Sequence, residues 1–122
     1  MISKDQDDQQ PIPSAWRGTL CDVVEAFKEG DFNLSRGVSG VGRITTETAA
    51  DIARNIEDYG VHLASLPEQS WDTSVCQWMG GYWDALVDLF TDEEGPSDLV
   101  LAVRIFENGG KYSFDIQSVY VP

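Results

Sequence analysis

The sequence is short of the side chains that most often carry chemistry. It has one histidine, His62, and two cysteines, Cys21 and Cys76, with no CxxC spacing of the kind that binds zinc or carries redox chemistry. No Ser or Cys stands in a G-x-S-x-G setting, and the stretches GVSGVG and MGGYW lack the lysine of a P-loop and the context of a dinucleotide fingerprint. We therefore assign no catalytic residue, no cofactor and no metal ion.

Basic side chains are also scarce. Eight lysines and arginines stand against 21 aspartates and glutamates, which gives a net charge of −13. Such a chain repels phosphate backbones and anionic lipids and attracts cationic surfaces. The charge argues against nucleic acid and membranes as partners and favours a basic protein, although an acidic surface can also serve solubility alone.

Long apolar runs are missing as well. No run of about 18 apolar residues occurs, and the N-terminal MISKDQDDQQ has no basic region followed by an apolar one. These absences predict a cytoplasmic protein. A chain of 122 residues with 42% hydrophobic content has the size of one domain. We assign residues 1–12 to a flexible acidic and polar tail and residues 13–122 to a single α+β domain.

Two segments have the apolar spacing of amphipathic helices. The first begins near Ser14, which can cap it, and ends at Gly30. The second begins at Thr45 or Thr46, and its apolar face extends to Leu63. Near the end of that helix, His62 is expected to be a surface side chain or a cation at the helix C-terminus. The glycine-rich stretch between the helices is predicted to be a loop.

Beyond Trp71 the apolar residues alternate, and three turn signals divide the remainder into four strands. Pairing Leu89 with Leu99 also aligns three further apolar pairs, which are Val87 with Leu101, Ala85 with Val103, and Trp83 with Ile105. A slip of one residue would destroy this agreement, so the register is well specified. The predicted fold is α+β, with two N-terminal helices packed on one face of a four-stranded antiparallel meander sheet.

The opposite face of the predicted sheet is more apolar than a solvated face needs to be. The register places Asp84 across from Arg104 as an ion pair and assigns Val119 of the last strand to this face. The apolar patch around the ion pair contains Leu86, Phe90, Val100, Phe106 and Met79. We expect something to cover this patch, namely a second copy of the chain, another protein, or the chain's own loop and tail.

The strongest charge cluster surrounds the turn between the second and third predicted strands. Its carboxylates are Asp88, Asp92, Glu93, Glu94 and Asp98. In an uninterrupted register, Asp88 and Asp98 are diagonal neighbours about 7 to 8 Å apart, a separation also seen for water-separated catalytic carboxylates. The spacing is not that of an EF-hand loop. A solvated acidic turn is the simpler interpretation, and docking of a basic surface is the simplest function for it.

Three segments make up nearly the whole chain after the tail: IPSAWRGTLCDVVEAFKEGDF, TTETAADIARNIEDYGVHLASLPEQSW, and TSVCQWMGGYWDALVDLFTDEEGPSDLVLAVRIFENGGKYSFDIQSVYVP. Their most specific part is the core W-D-x-L-V-D-L-x-T…S-D-L-x-L. These segments resemble a bacterial family of small proteins that carry a domain of unknown function. The resemblance brings no activity with it, and the residues that it highlights are Trp83, Asp84, Asp88, Ser97 and Asp98.

Three functions are compatible with these features. The first is a non-enzymatic protein-binding module, most concretely an immunity or antitoxin-like protein that neutralises a cationic partner through the apolar patch and the acidic turn. The second is a small-ligand binder or enzyme similar to the cystatin-like group, with a pocket between helices and sheet. That pocket would be lined by Trp16, Phe27, Trp78, Trp83 and Phe114. The third is a homodimeric structural protein that buries the outer sheet face.

Overall fold

The computed structural model describes residues 2–122. Two α-helices, α1 (Ser14–Lys28) and α2 (Thr46–Tyr59), precede a short 3₁₀ helix at Glu68–Asp72. Five strands form one antiparallel sheet in chain order: β1 (Gln10–Pro11), β2 (Val75–Trp78), β3 (Trp83–Thr91), β4 (Gly95–Asn108) and β5 (Lys111–Tyr120). The predicted α+β class, with two helices and an antiparallel sheet, is confirmed. No helix within residues 2–122 has the length and apolar content needed to cross a membrane.

The predicted number of strands is wrong, because the segment before α1 adds a fifth. Gln10 pairs with Cys76 and Pro11 pairs with Val75, at the edge of β2. Proline lacks an N–H and is confined to sheet edges. A strand of two residues is also too short to show alternation, so the sequence gives no sign of it. Ile12 follows directly and is fully buried. The end of the predicted tail is therefore joined to the core, while the flexibility of residues 1–12 stays a prediction.

The ends of α2 follow from local chemistry. The Thr45 hydroxyl accepts a hydrogen bond from a backbone N–H of the first turn, so the helix starts where the sequence predicted. It ends earlier than its apolar pattern indicated, because Gly60 takes a left-handed conformation with φ of 80°. Leu63 lies beyond the helix and pairs with Thr91 in an isolated antiparallel bridge. This bridge brings the segment after α2 to the end of β3.

The predicted register between β3 and β4 is confirmed over most of its length. The pairs that are present are Trp83–Ile105, Ala85–Val103 and Val87–Leu101. The fourth pair, Leu89 with Leu99, is wrong because β4 bulges and the ladder resumes with Phe90 opposite Pro96. Ser97 occupies the bulge, where its hydroxyl donates to the Leu89 carbonyl at 2.7 Å and accepts from the Leu99 N–H at 3.2 Å. A serine side chain thus replaces part of the ladder.

A second bulge, in β5, changes the face on which Val119 lies. Between the last pairs before and after the bulge, β5 has one extra residue, Gln117. Alternation reverses after an extra residue, so Val119 turns inward and is fully buried, and its predicted place on the outer face is wrong. Asn55 of α2 then donates from Nδ2 to the Val119 carbonyl at 2.8 Å. This bond ties α2 to the edge strand of the sheet.

One hydrophobic core includes buried residues of both helices and of the strands. Trp16 and Trp83 are the largest fully buried side chains, and their rings meet edge to face at 5.3 Å. The alternating strand residues that do not enter this core form what we call the outer face. A binding site for a partner is therefore best sought there.

Candidate functional site

The outer face of the sheet forms a groove of about 370 Å³ across β2 to β5. Apolar side chains from neighbouring strands lie together in it, since Leu86 is paired with Val75 on one side and Ala102 on the other. At one end Met79 is 48% exposed, which is high for a large apolar side chain. Three residues of the predicted site line this groove: Asp84, Leu86 and Arg104.

A charged and aromatic cluster lies on the same face. The predicted cross-strand pair is confirmed, because Arg104 lies opposite Asp84 with its Nε 3.6 Å from Oδ1. The guanidinium lies over the Tyr82 ring, 4.8 Å from the centroid, and Tyr82 packs against Phe106 with centroids 5.5 Å apart. The two charged side chains are 45% and 43% exposed, so their pairing adds little stability. They offer a partner a nearly neutral, partly aromatic surface.

Asp88 and Phe90 line a second groove of about 340 Å³ beside the 3₁₀ helix. The Asp88 carboxylate accepts a hydrogen bond from the Thr73 hydroxyl. Two buried serines hold its backbone: the Ser74 hydroxyl accepts from the Asp88 N–H at 2.8 Å, and the Ser70 hydroxyl donates to the Asp88 carbonyl at 2.6 Å. The strand register places Ser74 on the inner face, as observed, but sequence reasoning missed Ser70, because a small polar residue before a strand gives no pattern that separates a buried position from an exposed loop.

The acidic turn contacts the segment after α2. The Asp92 N–H donates to the His62 carbonyl at 2.9 Å, and the His62 N–H donates to Glu93 Oε1 at 2.8 Å. In the β4 bulge, the Asp98 N–H donates to the Tyr59 hydroxyl of α2 at 3.2 Å. The uninterrupted register on which the predicted separation of Asp88 and Asp98 depended is therefore absent at this point.

Several carboxylates of the predicted site have no cation beside them. Within residues 2–122, the salt bridges do not include Asp88, Asp92, Glu94 or Asp98. Val100, in contrast, is only 6% exposed between its strand neighbours and offers little surface to a partner. The predicted residues are therefore divided among three places. Asp84, Leu86 and Arg104 line the first groove, and Asp88 and Phe90 line the second. Asp92, Glu93 and Glu94 lie in the acidic turn between β3 and β4.

His62 forms the one histidine contact of the turn, and its pKa should report on that contact. The Glu93 carboxylate lies 2.6 Å from Nδ1 and raises the pKa of His62 above its usual value. We expect Glu93→Gln to return this pKa toward about 6.5, measured by an NMR titration of the imidazole protons. The pair strengthens the fold where His62 is protonated, below its unfolded pKa, and this contribution is lost as the pH rises through the folded pKa.

Asp92→Asn is the control for that titration, since the Asp92 carboxylate raises the pKa of His62 only through its charge and less strongly than Glu93 does. It should lower the pKa of His62 by less than Glu93→Gln does. Equal pKa values in the unmodified chain and in Glu93→Gln would contradict the contact.

The two cysteine thiols of the chain have low reactivity. Burial raises the pKa of the Cys76 thiol to about 11, and burial, followed by nearby acidic side chains, raises that of Cys21. Both thiols therefore stay protonated near neutral pH, which makes them poor nucleophiles. Across residues 2–122, no three His, Cys, Asp or Glu side chains are grouped so that they could hold a metal ion.

Four of the five aromatic residues predicted to line an inner pocket pack against one another instead. Trp16 lies 5.3 Å from Trp83 and 6.4 Å from Phe114 between ring centroids, and Trp78 lies 4.7 Å from Trp83. The fifth, Phe27, packs against Phe32 with ring centroids 5.6 Å apart and lines a separate groove of about 510 Å³ beside α2. This packing gives the ligand-binding alternative no support.

The fold and surface define an acidic α+β protein with a groove on the outer face of its sheet. The chain belongs to the family described as a domain of unknown function (DUF7668), whose profile matches residues 24–122. The predicted resemblance to such a family is thereby confirmed, while its bacterial origin stays a prediction. No curated protein and no solved structure matches the chain.

Proposed function

We propose that this protein is a non-enzymatic binding module for a basic protein, which docks on the outer face with the acidic turn beside it. The observation that carries the proposal is the groove around Leu86, an apolar surface on a sheet whose nearby carboxylates include several with no cation partner. Such a surface gains from an apolar contact at its centre and from charge complementarity at its rim. Its most concrete form is an immunity or antitoxin-like protein that neutralises a cationic partner.

The charge of the whole chain supports a basic partner over a neutral one. The net charge of −13 produces a field that attracts cationic proteins and raises their association rate at low ionic strength. In the same proposal, α1 and α2 cover only the inner face of the sheet, and the protein acts in the cytoplasm of a bacterial cell. Binding that depends on this field weakens as salt is added.

Leu86→Asp should abolish most of this binding. Leu86 is half-buried in the floor of the groove, so an added carboxylate can stay solvated in the free protein but loses water when a partner covers it. We expect affinity for the basic partner to fall by roughly a hundredfold, in line with an uncompensated charge in an interface. The measurement is capture by the immobilised full chain from an extract of its host, followed by calorimetry with the purified captured protein.

Ala50→Asp is the matched control, since it adds the same charge at an exposed position of α2. It should capture the partner as the unmodified chain does. Equal capture by both variants would remove the outer face from the proposal. Sedimentation at several concentrations tests the homodimer: a dimer that Leu86→Asp dissociates would assign this face to a second copy of the chain and overturn the basic-partner proposal.

A further inference from the structure

The N-terminal segment places its Lys4 ammonium among two indole rings and a carboxylate. Nζ lies 5.1 Å from the Trp78 ring centroid, 5.9 Å from the Trp83 ring centroid and 3.1 Å from Glu107 Oε1. Indole faces attract cations through their quadrupole, and a carboxylate accepts a charge-assisted hydrogen bond from an N–H of an ammonium. The three groups together have the chemistry of a site that recognises an alkylammonium group.

The sheet holds the two rings in place without help from Lys4. Trp78 and Trp83 are directly paired across β2 and β3, and their ring centroids lie 4.7 Å apart. Trp83 is also fixed from the core by Trp16, at 5.3 Å. Glu107 lies near the end of β4, two positions beyond the partner of Trp83. Since these positions are set by strand pairing, the cluster remains assembled when Lys4 leaves it.

Lys4 itself is held weakly. Its side chain is 49% exposed and that of Glu107 is 37% exposed, and ion pairs with this exposure are screened by water. The rest of the segment has further anchors: the Ser3 carbonyl accepts from Trp83 Nε1 at 2.9 Å and from Gln10 Nε2 at 2.8 Å, the Gln6 carbonyl accepts from Gln77 Nε2 at 2.6 Å, and Ile2 packs against the core. A competing ammonium has to displace only the exposed side-chain contacts of Lys4, while these anchors hold the rest of the segment.

We propose that Trp78, Trp83 and Glu107 form a recognition site for a lysine side chain, and that Lys4 occupies it as an internal competitor. This inference deepens the proposed function, because a basic partner would supply the lysine, and it rests on that function for its biological ligand. A primary ammonium is the ligand class, since the carboxylate lies within hydrogen-bonding distance of the nitrogen. Displacement of the Lys4 side chain then frees the site for the partner.

The test uses Nα-acetyl-lysine N-methylamide as the probe and the full chain as the receptor. Lys4→Gln empties the site and raises the fraction of molecules competent to bind, so the probe should bind about fivefold more tightly than it binds the unmodified chain. The readout is the change in the indole N–H resonances of Trp78 and Trp83 during the titration. Because Lys4 is exposed, its replacement should leave the unfolding temperature unchanged.

Two further variants and a second probe make the result specific. Glu107→Gln added to Lys4→Gln should weaken probe binding about fivefold or more, because the charge-assisted hydrogen bond is lost. Arg54→Gln removes an exposed cation from an ion pair on α2 and should bind the probe as the unmodified chain does. The norleucine analogue of the probe, which has no ammonium, should not bind.

The proposal is overturned if Lys4→Gln binds the lysine probe no more tightly than the unmodified chain. It is equally overturned if the norleucine analogue binds as well as the lysine probe, since the contact would then be apolar only. The two proposals fail separately. A probe that binds as expected supports the ammonium site even when no basic protein is captured, and a partner captured through Leu86 leaves the proposed function standing when the probe fails.

Discussion

Trp16→Ala should lower the free energy of unfolding by about 3 to 5 kcal/mol, the range for truncating a large buried aromatic side chain. The Trp16 side chain is fully buried, and its ring meets those of Trp83 at 5.3 Å, Tyr112 at 5.6 Å and Phe114 at 6.4 Å. Alanine would leave a cavity between α1 and these strand residues that a sheet of fixed register closes only in part. Urea unfolding followed by far-ultraviolet circular dichroism measures the loss without relying on tryptophan emission.

Trp16→Phe separates the packing of the ring from the hydrogen bonding of the indole. Among the buried side-chain nitrogen and oxygen atoms of residues 2–122, Trp16 Nε1 alone has no hydrogen-bond partner. Phenylalanine keeps an aromatic ring and removes a donor that is already unpaired, so it should cost only about 1 to 2 kcal/mol. A loss as large as that of Trp16→Ala would show that the indole N–H is satisfied in the folded protein and that this account is wrong.

The register of β3 on β4 could be predicted because it depends on alternation alone. Trp83, Ala85 and Val87 each meet an apolar residue of β4 in the predicted alignment, and the structure has that alignment. The bulges at Ser97 and Gln117 could not be predicted in the same way. A bulge adds one or more residues to a strand relative to its partner strand. Contacts with other elements decide where these extra residues fall.

The candidate site could be predicted only where the strand register could be predicted. Asp84 and Leu86 on β3 and Arg104 on β4 lie in the part of the ladder where the predicted register is present. They share a groove, as expected. The contact between His62 and Glu93 joins residues that are distant in sequence, so no local pattern indicated it. The fifth strand was missed for a related reason, since two residues cannot display a period.

Ser74→Ala should lower the free energy of unfolding by about 1 to 3 kcal/mol, because it leaves the Asp88 N–H without a partner. Ser74 is 2% exposed. Its hydroxyl accepts a hydrogen bond from the Asp88 N–H at 2.8 Å and donates one to the Ser70 carbonyl at 2.8 Å. The loss should appear in urea unfolding and as faster hydrogen exchange at the Asp88 amide. Ser113→Ala is the control, since within the described residues no hydrogen bond involves the Ser113 side chain, and it should change stability by less than about 0.5 kcal/mol.

Ser74 and Ser70 of the 3₁₀ helix together hold Asp88 in position. Ser70 holds the Asp88 carbonyl while Ser74 holds its N–H, so the two hydroxyls fix one residue of β3 from both sides. We therefore expect Ser70→Ala and Ser74→Ala to be non-additive by at least about 0.5 kcal/mol in a double-mutant cycle, as contacting residues in one network are. Strict additivity would mean that the serines act independently.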